Sequence, residues 1–225
     1  MKMKKLVAIL IVLGLTGVAN AAFFEDFESL DPGGINGQNG WTDTGFGAGY
    51  RGNYPATVGT DGIGQAGKST DNWMGYAGRD ISGDAGAGGY VLEVLSGGIG
   101  PGNNALIIGD YRLLDTGEPD SVANPADHLY IQNVWNGYSY VAAYDDGSSD
   151  STELAPGSVG DPTGLGWYRL KWELDFSGTP TGYAYIADAD DDTGEISSAW
   201  SLLASKTLPD GLDTPGEVVG AAFHM

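Results

Sequence analysis

The clearest pattern of hydrophobic and polar positions in the chain lies in residues 167–176, WYRLKWELDF. From residue 168 onward, apolar side chains alternate strictly with charged ones. A period of two is that of a β-strand with one buried face and one solvated face. The segment is therefore predicted to be a strand whose solvated face carries Arg169, Lys171, Glu173 and Asp175.

Shorter apolar segments elsewhere show similar patterns and are separated by turn residues. Residues 129–135 and 138–144 flank Asn136-Gly137, a dipeptide that favours a two-residue hairpin turn. Such a turn would place Asn133 opposite Tyr140. Short strands with no long helical pattern between them predict an antiparallel sandwich. The other strand candidates are residues 23–28, 90–95, 105–113, 182–187, 200–206 and 218–223.

The N-terminus has the three parts of a secretory signal peptide. Three lysines among the first five residues precede an apolar run over residues 6–15. That run is too short for a membrane span, which needs about 20 residues. Ala19-Asn20-Ala21 places small residues where a signal peptidase cleaves. We expect residues 1–21 to be removed, leaving one sandwich domain in residues 22–225. That domain would be secreted, periplasmic or on the cell surface, with no membrane insertion after cleavage.

The chain is strongly acidic, rich in glycine and free of cysteine. It has 30 acidic and 10 basic residues, and the predicted signal peptide holds three of the basic ones, so the remainder carries a formal charge of −23. This charge repels nucleic acid and anionic membranes, and it attracts cations such as calcium. Glycine accounts for 38 of 225 residues, which fits many turns between short strands. Without cysteine, disulfides, lipid attachment to cysteine and thiolate metal sites are excluded.

Four segments spread over most of the chain point to a family. They are FFEDFESL in residues 23–30, INGQNGW in 35–41, Gly67-Lys68-Ser69 after a glycine-rich stretch, and the strand of 167–176 with the hairpin that follows it. Together they resemble secreted bacterial proteins with a concanavalin A-like, LamG-like jelly-roll domain. The resemblance implies an all-β, antiparallel two-sheet jelly-roll sandwich with one concave sheet, often used to bind glycans. Such domains usually end on an Asp-Asn-Ile-like strand. This chain ends on Phe223-His224-Met225, so the closing strand is expected to be missing or built differently.

The resemblance leads us to expect a lectin-like module without catalytic activity, with a polysaccharide or cell-surface glycan as its partner. Two alternatives stay open: a structural surface or matrix protein with no small ligand, and a polysaccharide hydrolase or lyase. No nucleic acid or nucleotide partner is expected. No cofactor is expected either, with calcium left open.

One short motif bears on catalysis. Glu173-Leu174-Asp175 is similar to part of the E-x-D-x-E strand that carries catalysis in jelly-roll glucanases. Retaining hydrolysis needs two carboxyl groups about 5–5.5 Å apart. The third acidic position falls here on Ser177, or on Gly178 in the bulged variant, so the acid/base is missing. We therefore expect no catalytic residue, and we expect the arginine and lysine of the strand to pair with its two carboxylates.

A dense acidic turn provides the candidate metal ligands Asp188, Asp190 and Asp192. An EF-hand is excluded because Thr193 and Ala199 occupy the positions of its glycine and glutamate. A looser calcium turn stays open. The simpler interpretation is a hairpin loop whose carboxylates face water.

Residues 62–69, GIGQAGKS, match the phosphate-loop pattern GxxxxGK[ST]. That chemistry needs the loop between a parallel strand and a helix, and neither is predicted here. No phosphate-binding residue is therefore expected. The two histidines, His128 and His224, lie far apart and show no zinc spacing.

Aromatic residues of the predicted hairpin supply the candidate sugar-binding side chains, since flat rings can stack on sugar rings. The same rings could instead belong to the core with Leu129, Ile131 and Ala142, because aromatic residues favour strands in any case. The candidates are Trp135, Tyr138, Tyr140 and Tyr144.

Overall fold

The computed structural model describes most of the chain from residue 28 onward, with gaps. The described residues are 28–43, 56–60, 65–69, 76–80, 89–97, 104–109, 127–133, 139–145, 148–154, 167–214 and 220–224. The predicted signal peptide and residues 134–138, which include Trp135, Tyr138 and the Asn136-Gly137 turn, lie outside them.

Regular structure in this part of the chain consists of β-strands and a turn of 3₁₀ helix, Asp210–Leu212. The strands are β1 Gly33–Gly34, β2 Trp41–Asp43, β3 Ala56–Thr60, β4 Gln65–Ser69, β5 Tyr76–Asp80, β6 Gly89–Gly97, β7 Asn104–Gly109, β8 His128–Asn133, β9 Ser139–Asp145, β10 Ser148–Leu154, β11 Trp167–Asp175, β12 Thr181–Asp188, β13 Ser201–Thr207 and β14 Gly220–His224.

Two sheets form the body of the molecule. The seven-stranded sheet has the order β10-β9-β8-β7-β14-β5-β2, and the four-stranded sheet has the order β13-β12-β11-β6. A small third sheet, β1-β3-β4, was not predicted. All strand pairs in the three sheets are antiparallel. The predicted all-β, antiparallel two-sheet jelly-roll sandwich is confirmed. Within the described residues no helix is long and apolar enough to cross a membrane.

Strand β14 lies inside the seven-stranded sheet, where it pairs with β5 on one side and with β7 on the other. The last strand candidate, residues 218–223, therefore falls on a real strand. The expectation of a missing or differently built closing strand stays a prediction.

The core lies between the two sheets, and β11 contributes its largest side chain. The burial of β11 alternates residue by residue, as its sequence predicts, with Trp172 fully buried. Gly182 of β12 lets the layers approach, because a Cβ there would lie 2.9 Å from Leu129 Cδ1 of the opposite sheet. Burying one leucine, isoleucine or valine side chain of this core contributes about 1.5–3 kcal/mol to the free energy of unfolding. The buried cluster consists of Leu106, Ile108, Leu129, Ile131, Val141, Ala143, Tyr168, Leu170, Trp172, Leu174, Ala184, Leu208 and Leu212.

The hairpin of β8 and β9 exists, but its register differs from the prediction by one residue. Asn133 pairs with Ser139, and Gln132 pairs with Tyr140. Five residues separate Asn133 from Ser139, and an odd number is incompatible with a two-residue turn that continues the ladder. A slip of one residue moves every partner to the other face of the sheet. Tyr140 and Tyr144 consequently do not share a face with Leu129 and Ile131.

Candidate functional site

The side of the four-stranded sheet that points away from the core is here called the outer face. On β11 it carries the four charged residues that alternate with the core positions. The strand register sets Glu93 and Tyr185 on either side of Lys171. It sets Val91 and Tyr183 on either side of Glu173. Charged and aromatic side chains therefore lie in adjacent rows across three strands.

Two ion pairs order the charges of the outer face. Arg169 Nη1 donates to Glu93 Oε1 at 2.6 Å, and Arg169 Nε donates to the carbonyl of Gly194 at 2.8 Å. Lys171 Nζ lies 3.5 Å from Glu173 Oε2. The predicted pairing of the lysine with a carboxylate of its own strand is thus confirmed. The predicted pairing of Arg169 with a carboxylate of β11 is wrong, because its carboxylate partner, Glu93, lies on β6.

The ammonium group of Lys171 lies between two aromatic rings. Its Nζ is 4.3 Å from the ring centroid of Tyr185 and 4.6 Å from that of Trp200, which directly precedes β13. Cation–π contacts of this kind contribute about 0.5–1 kcal/mol at exposed sites and more when water is excluded. The pKa of Tyr185 is raised by burial first, and then by the charge of Glu173 and by Tyr183. At neutral pH the phenol of Tyr185 is therefore a neutral hydrogen-bonding group beside the lysine.

The motif Glu173-Leu174-Asp175 lies on this face, and both of its carboxylates have partners. Asp175 Oδ1 accepts a hydrogen bond from the backbone N–H of Ser177 at 2.8 Å. Hydrogen bonds from the Ser177 side chain and backbone lower the pKa of Asp175, whereas a general acid needs a raised pKa. Glu173 is paired with Lys171, and the neighbouring Glu93 is paired with Arg169. These contacts suit a surface that orients charges and offers hydrogen bonds.

The acidic turn after β12 is organised by its own hydrogen bonds. Asp190 Oδ1 accepts three of them, from Asp192 N, Thr193 N and Thr193 Oγ1, at 3.1, 2.9 and 2.9 Å. The carboxylate of Asp191 accepts one from Trp167 N at 2.9 Å, which ties the turn to β11. Within the described residues, no three aspartate, glutamate or histidine side chains converge in a way that could hold a metal ion. The structure therefore does not bring Asp188, Asp190 and Asp192 together as calcium ligands.

Two of the four hairpin aromatics lie in the described residues, and they differ in exposure. Tyr144 is 7% exposed, and its ring stacks on the imidazole of His128 with centroids 4.5 Å apart. The ring of Tyr130 contacts the ring of Tyr144 edge-on. Tyr144 thus has little ring surface for a sugar, while Tyr140 is half-buried. Trp135 and Tyr138 fall outside the described residues.

The segment that matches the phosphate-loop pattern, residues 62–69, lies partly within the described residues. Residues Gln65–Ser69 form β4, which pairs antiparallel with β3, so that Lys68 lies opposite Thr57. A lysine within an antiparallel strand differs from the strand-to-helix turn that cradles phosphate.

Four residues of this face were not among the candidates predicted from the sequence: Glu93, Tyr183, Tyr185 and Trp200. A signal was present for the two tyrosines, because they alternate with small residues in GYAY, residues 182–185. Period-two alternation alone does not say whether the face with the large side chains is the buried one. Here the small residues Gly182 and Ala184 point inward, and the tyrosines lie on the outer face.

No protein-family model matches the chain, and no curated protein matches it. Among solved structures, one described as a native glycosidic hydrolase is similar at 12% identity and a TM-score of 0.41, over 93% of this chain and 97% of that one. A Bacillus licheniformis beta-glucanase is similar at 14% identity and a TM-score of 0.38, over 86% and 92%. Such distant similarities say nothing about the activity of this chain. Strand order and site define an all-β sandwich with an aromatic, ion-paired outer face.

Proposed function

We propose that the protein is a secreted or cell-surface lectin-like module that binds a glycan on the outer face of its four-stranded sheet, without catalysis. The observation that carries this proposal is the grouping of Tyr183, Tyr185 and Trp200 beside the ordered charges of β11 and β6. This location replaces the hairpin as the proposed sugar-binding surface.

The aromatic residues supply the apolar part of the surface. Tyr183 and Tyr185 are two positions apart on β12, so their side chains leave the sheet on the same side. Each is partly exposed, as is Trp200. Leu202, 56% exposed and paired with Tyr185, extends the apolar surface onto β13. Sugar rings have apolar C–H faces that pack on such surfaces, while their hydroxyls reach the polar groups around them.

The charged residues supply the polar part and favour a neutral glycan. Arg169 and Lys171 are each neutralised by a glutamate, so the centre of the face presents donors and acceptors with little net charge. The rest of the molecule is strongly negative and repels anionic polysaccharides over the Debye length, about 8 Å at physiological salt. A neutral chain such as a β-glucan meets no such barrier.

The binding test compares variants in affinity electrophoresis and calorimetry against soluble neutral polysaccharides. Tyr185→Ala is expected to weaken binding at least about tenfold, equivalent to about 1.4 kcal/mol, and Tyr185→Phe to retain it because the ring remains. The matched control is Tyr140→Ala, which removes a half-buried tyrosine from the other sheet and should leave binding within about twofold. Loss in Tyr140→Ala with retention in Tyr185→Ala would contradict the outer face as the site.

Absence of catalysis is tested with the same polysaccharides. We expect no release of reducing sugar by the wild-type protein, because the only acid motif of β11 is ion-paired at Glu173 and has a lowered pKa at Asp175. Cleavage by the wild type that falls at least about a hundredfold in Glu173→Gln, the loss expected for a positioned acid or base, would make the protein a hydrolase.

Export rests on the three-part N-terminus. Expression in a Gram-negative host should give a mature protein that begins at Ala22, measured by intact mass. A soluble product that keeps Met1 would contradict this proposal.

A further inference from the structure

We propose that a second binding site, separate from the outer face, takes a single neutral sugar ring in a cavity at the edge of the sandwich. The cavity has a volume of about 220 Å³. It lies where the β9–β10 hairpin of the seven-stranded sheet meets the segment that leaves β13 of the four-stranded sheet. The lining residues are Ala143, Asp145, Ser148, Ser149, Asp150, Thr207, Leu208 and Pro209.

The lining has two chemical sides, which match the two sides of a pyranose. Ala143, Leu208 and Pro209 form an apolar wall that belongs to the core or borders it. Asp145, Ser148 and Asp150 lie on the same face of the hairpin as Ala143, and their hydroxyl and carboxylate groups can accept hydrogen bonds from ring hydroxyls. A pocket for a drug-sized ligand occupies about 300–1,000 Å³, so this smaller cavity suits one ring rather than a chain.

The walls are held in place by hydrogen bonds on both sides. On the hairpin side, Ser148 Oγ donates to the carbonyl of Asp145 at 2.7 Å. On the other side, Leu208 N donates to the carbonyl of Pro180 at 3.0 Å, and Gly211 N donates to Asp127 Oδ2 at 3.1 Å. A site that is fixed before the ligand arrives loses less conformational entropy on binding.

Lys206 adds electrostatic order to the cavity. Its side chain is 3% exposed, and its Nζ donates to Asp150 Oδ1 at 2.8 Å and to Thr152 Oγ1 at 2.9 Å. The ion pair fixes the carboxylate of Asp150, which is itself 71% exposed, and offsets its charge. Asp145 and the overall acidity of the chain then disfavour an anionic ligand, and a neutral ring with several hydroxyls fits the remaining donors and acceptors.

The test uses methyl β-D-glucopyranoside as the probe, with saturation-transfer NMR and amide shift mapping on the full chain. Ser148→Leu places an apolar side chain on the face of β10 that it shares with Asp150, toward the cavity, and Ser151→Leu makes the same change at an exposed position on the opposite face of β10, outside the lining. We expect millimolar binding, amide shifts at Ser148, Ser149 and Thr207, and at least about tenfold weaker binding in Ser148→Leu only. Tyr185→Ala should leave this binding unchanged, and Ser148→Leu should leave polysaccharide binding by the outer face unchanged, so the two sites can fail independently.

Three results would overturn the second site: no saturation transfer to the wild type at millimolar sugar, binding that survives Ser148→Leu, or equal loss in Ser151→Leu. Binding of a small organic amine in place of the sugar would also overturn it, because the two carboxylates would then act as a cation site.

Discussion

Individual aspartates in this protein stabilise turns through hydrogen bonds to their ionised side chains. Asp175 and Asp190 both accept bonds from the backbone two or three residues ahead, and both have a lowered pKa. In each case the largest cause is a side-chain hydrogen bond, from Ser177 and from Thr193 respectively. A carboxylate that receives such bonds favours its charged form. The cluster that suggested calcium is therefore better described as a capped turn.

The turn around Asp190 should make stability depend on pH. Because its pKa is lower in the folded than in the unfolded state, the ionised carboxylate stabilises the fold above the ordinary aspartate pKa, about 3.9. This contribution is lost as pH falls through the lower folded-state value. Asp190→Ala should therefore melt below the wild type at neutral pH, and the difference should shrink in acid. Thermal unfolding across a pH series measures this.

Asp192→Ala is the matched control for this experiment, because it removes an adjacent exposed carboxylate and keeps the three bonds to Asp190 Oδ1. A difference in melting temperature that grows toward acid, or that appears equally in Asp192→Ala, would contradict the role of Asp190.

Strands of this protein are easier to recognise than their pairings. The alternating segment of residues 167–176 contains β11, and the two hairpin segments cover β8 except for His128 and β9 except for Asp145. The predicted register of β8 on β9 was wrong, because it was taken from one dipeptide, whereas the ladder pairs Asn133 with Ser139. On its other side β8 packs tightly against β7: at Gly109 of β7, which pairs with His128, a Cβ would lie 2.5 Å from His128 Cβ.

The register of the hairpin can be tested by crosslinking, since the chain has no natural cysteine. Gln132→Cys with Tyr140→Cys should oxidise to a disulfide, because directly paired residues lie about 4.5–5.5 Å apart between Cα atoms, within disulfide range. The control pair Asn133→Cys with Tyr140→Cys should not, because side chains one position out of register leave the sheet on opposite sides. Non-reducing mass analysis distinguishes the two, and preferential crosslinking of the control pair would restore the two-residue-turn register.

Close packing of β7 against β8 predicts a large effect of one methyl group. Gly109→Ala should lower the free energy of unfolding by about 1–3 kcal/mol, because the clash involves backbone and Cβ atoms that cannot rotate away. Gly178→Ala is the control, since a Cβ there meets nothing within 4 Å. Urea unfolding compares the two, and equal stability of both variants would show that the sheet accommodates the methyl group.

At the scale of the whole molecule, the protein carries a large negative charge, and an ion pair at the edge of the sandwich links its two sheets. Lys206 crosses from the four-stranded to the seven-stranded sheet and ends on Asp150 and Thr152 of β10. Repulsion among surplus carboxylates opposes the compact state and is relieved by salt. Because the candidate calcium ligands do not converge, we attribute any effect of divalent ions to the charge of the whole surface.

Millimolar calcium should accordingly raise the melting temperature modestly, and sodium chloride at matched ionic strength should reproduce most of the rise. A specific site would behave differently, adding about 2.7 kcal/mol at a calcium concentration a hundred times its Kd. Calorimetric melting of the wild type and Asp190→Asn in both salts separates these cases. A calcium-specific shift that disappears in Asp190→Asn would establish a metal site in the acidic turn.

The sequence by itself determined the fold class and the strand β11, because a period-two pattern depends only on which side chains avoid water. It also determined the large negative charge of the chain. Only the tertiary structure decided which strands are neighbours, and therefore that Glu93 meets Arg169 and that Tyr185 and Trp200 enclose Lys171. These contacts join residues up to 76 positions apart, and no local pattern encodes such distances. The hairpin tyrosines show the same limit, since exposure depends on what packs over a strand as well as on its own sequence.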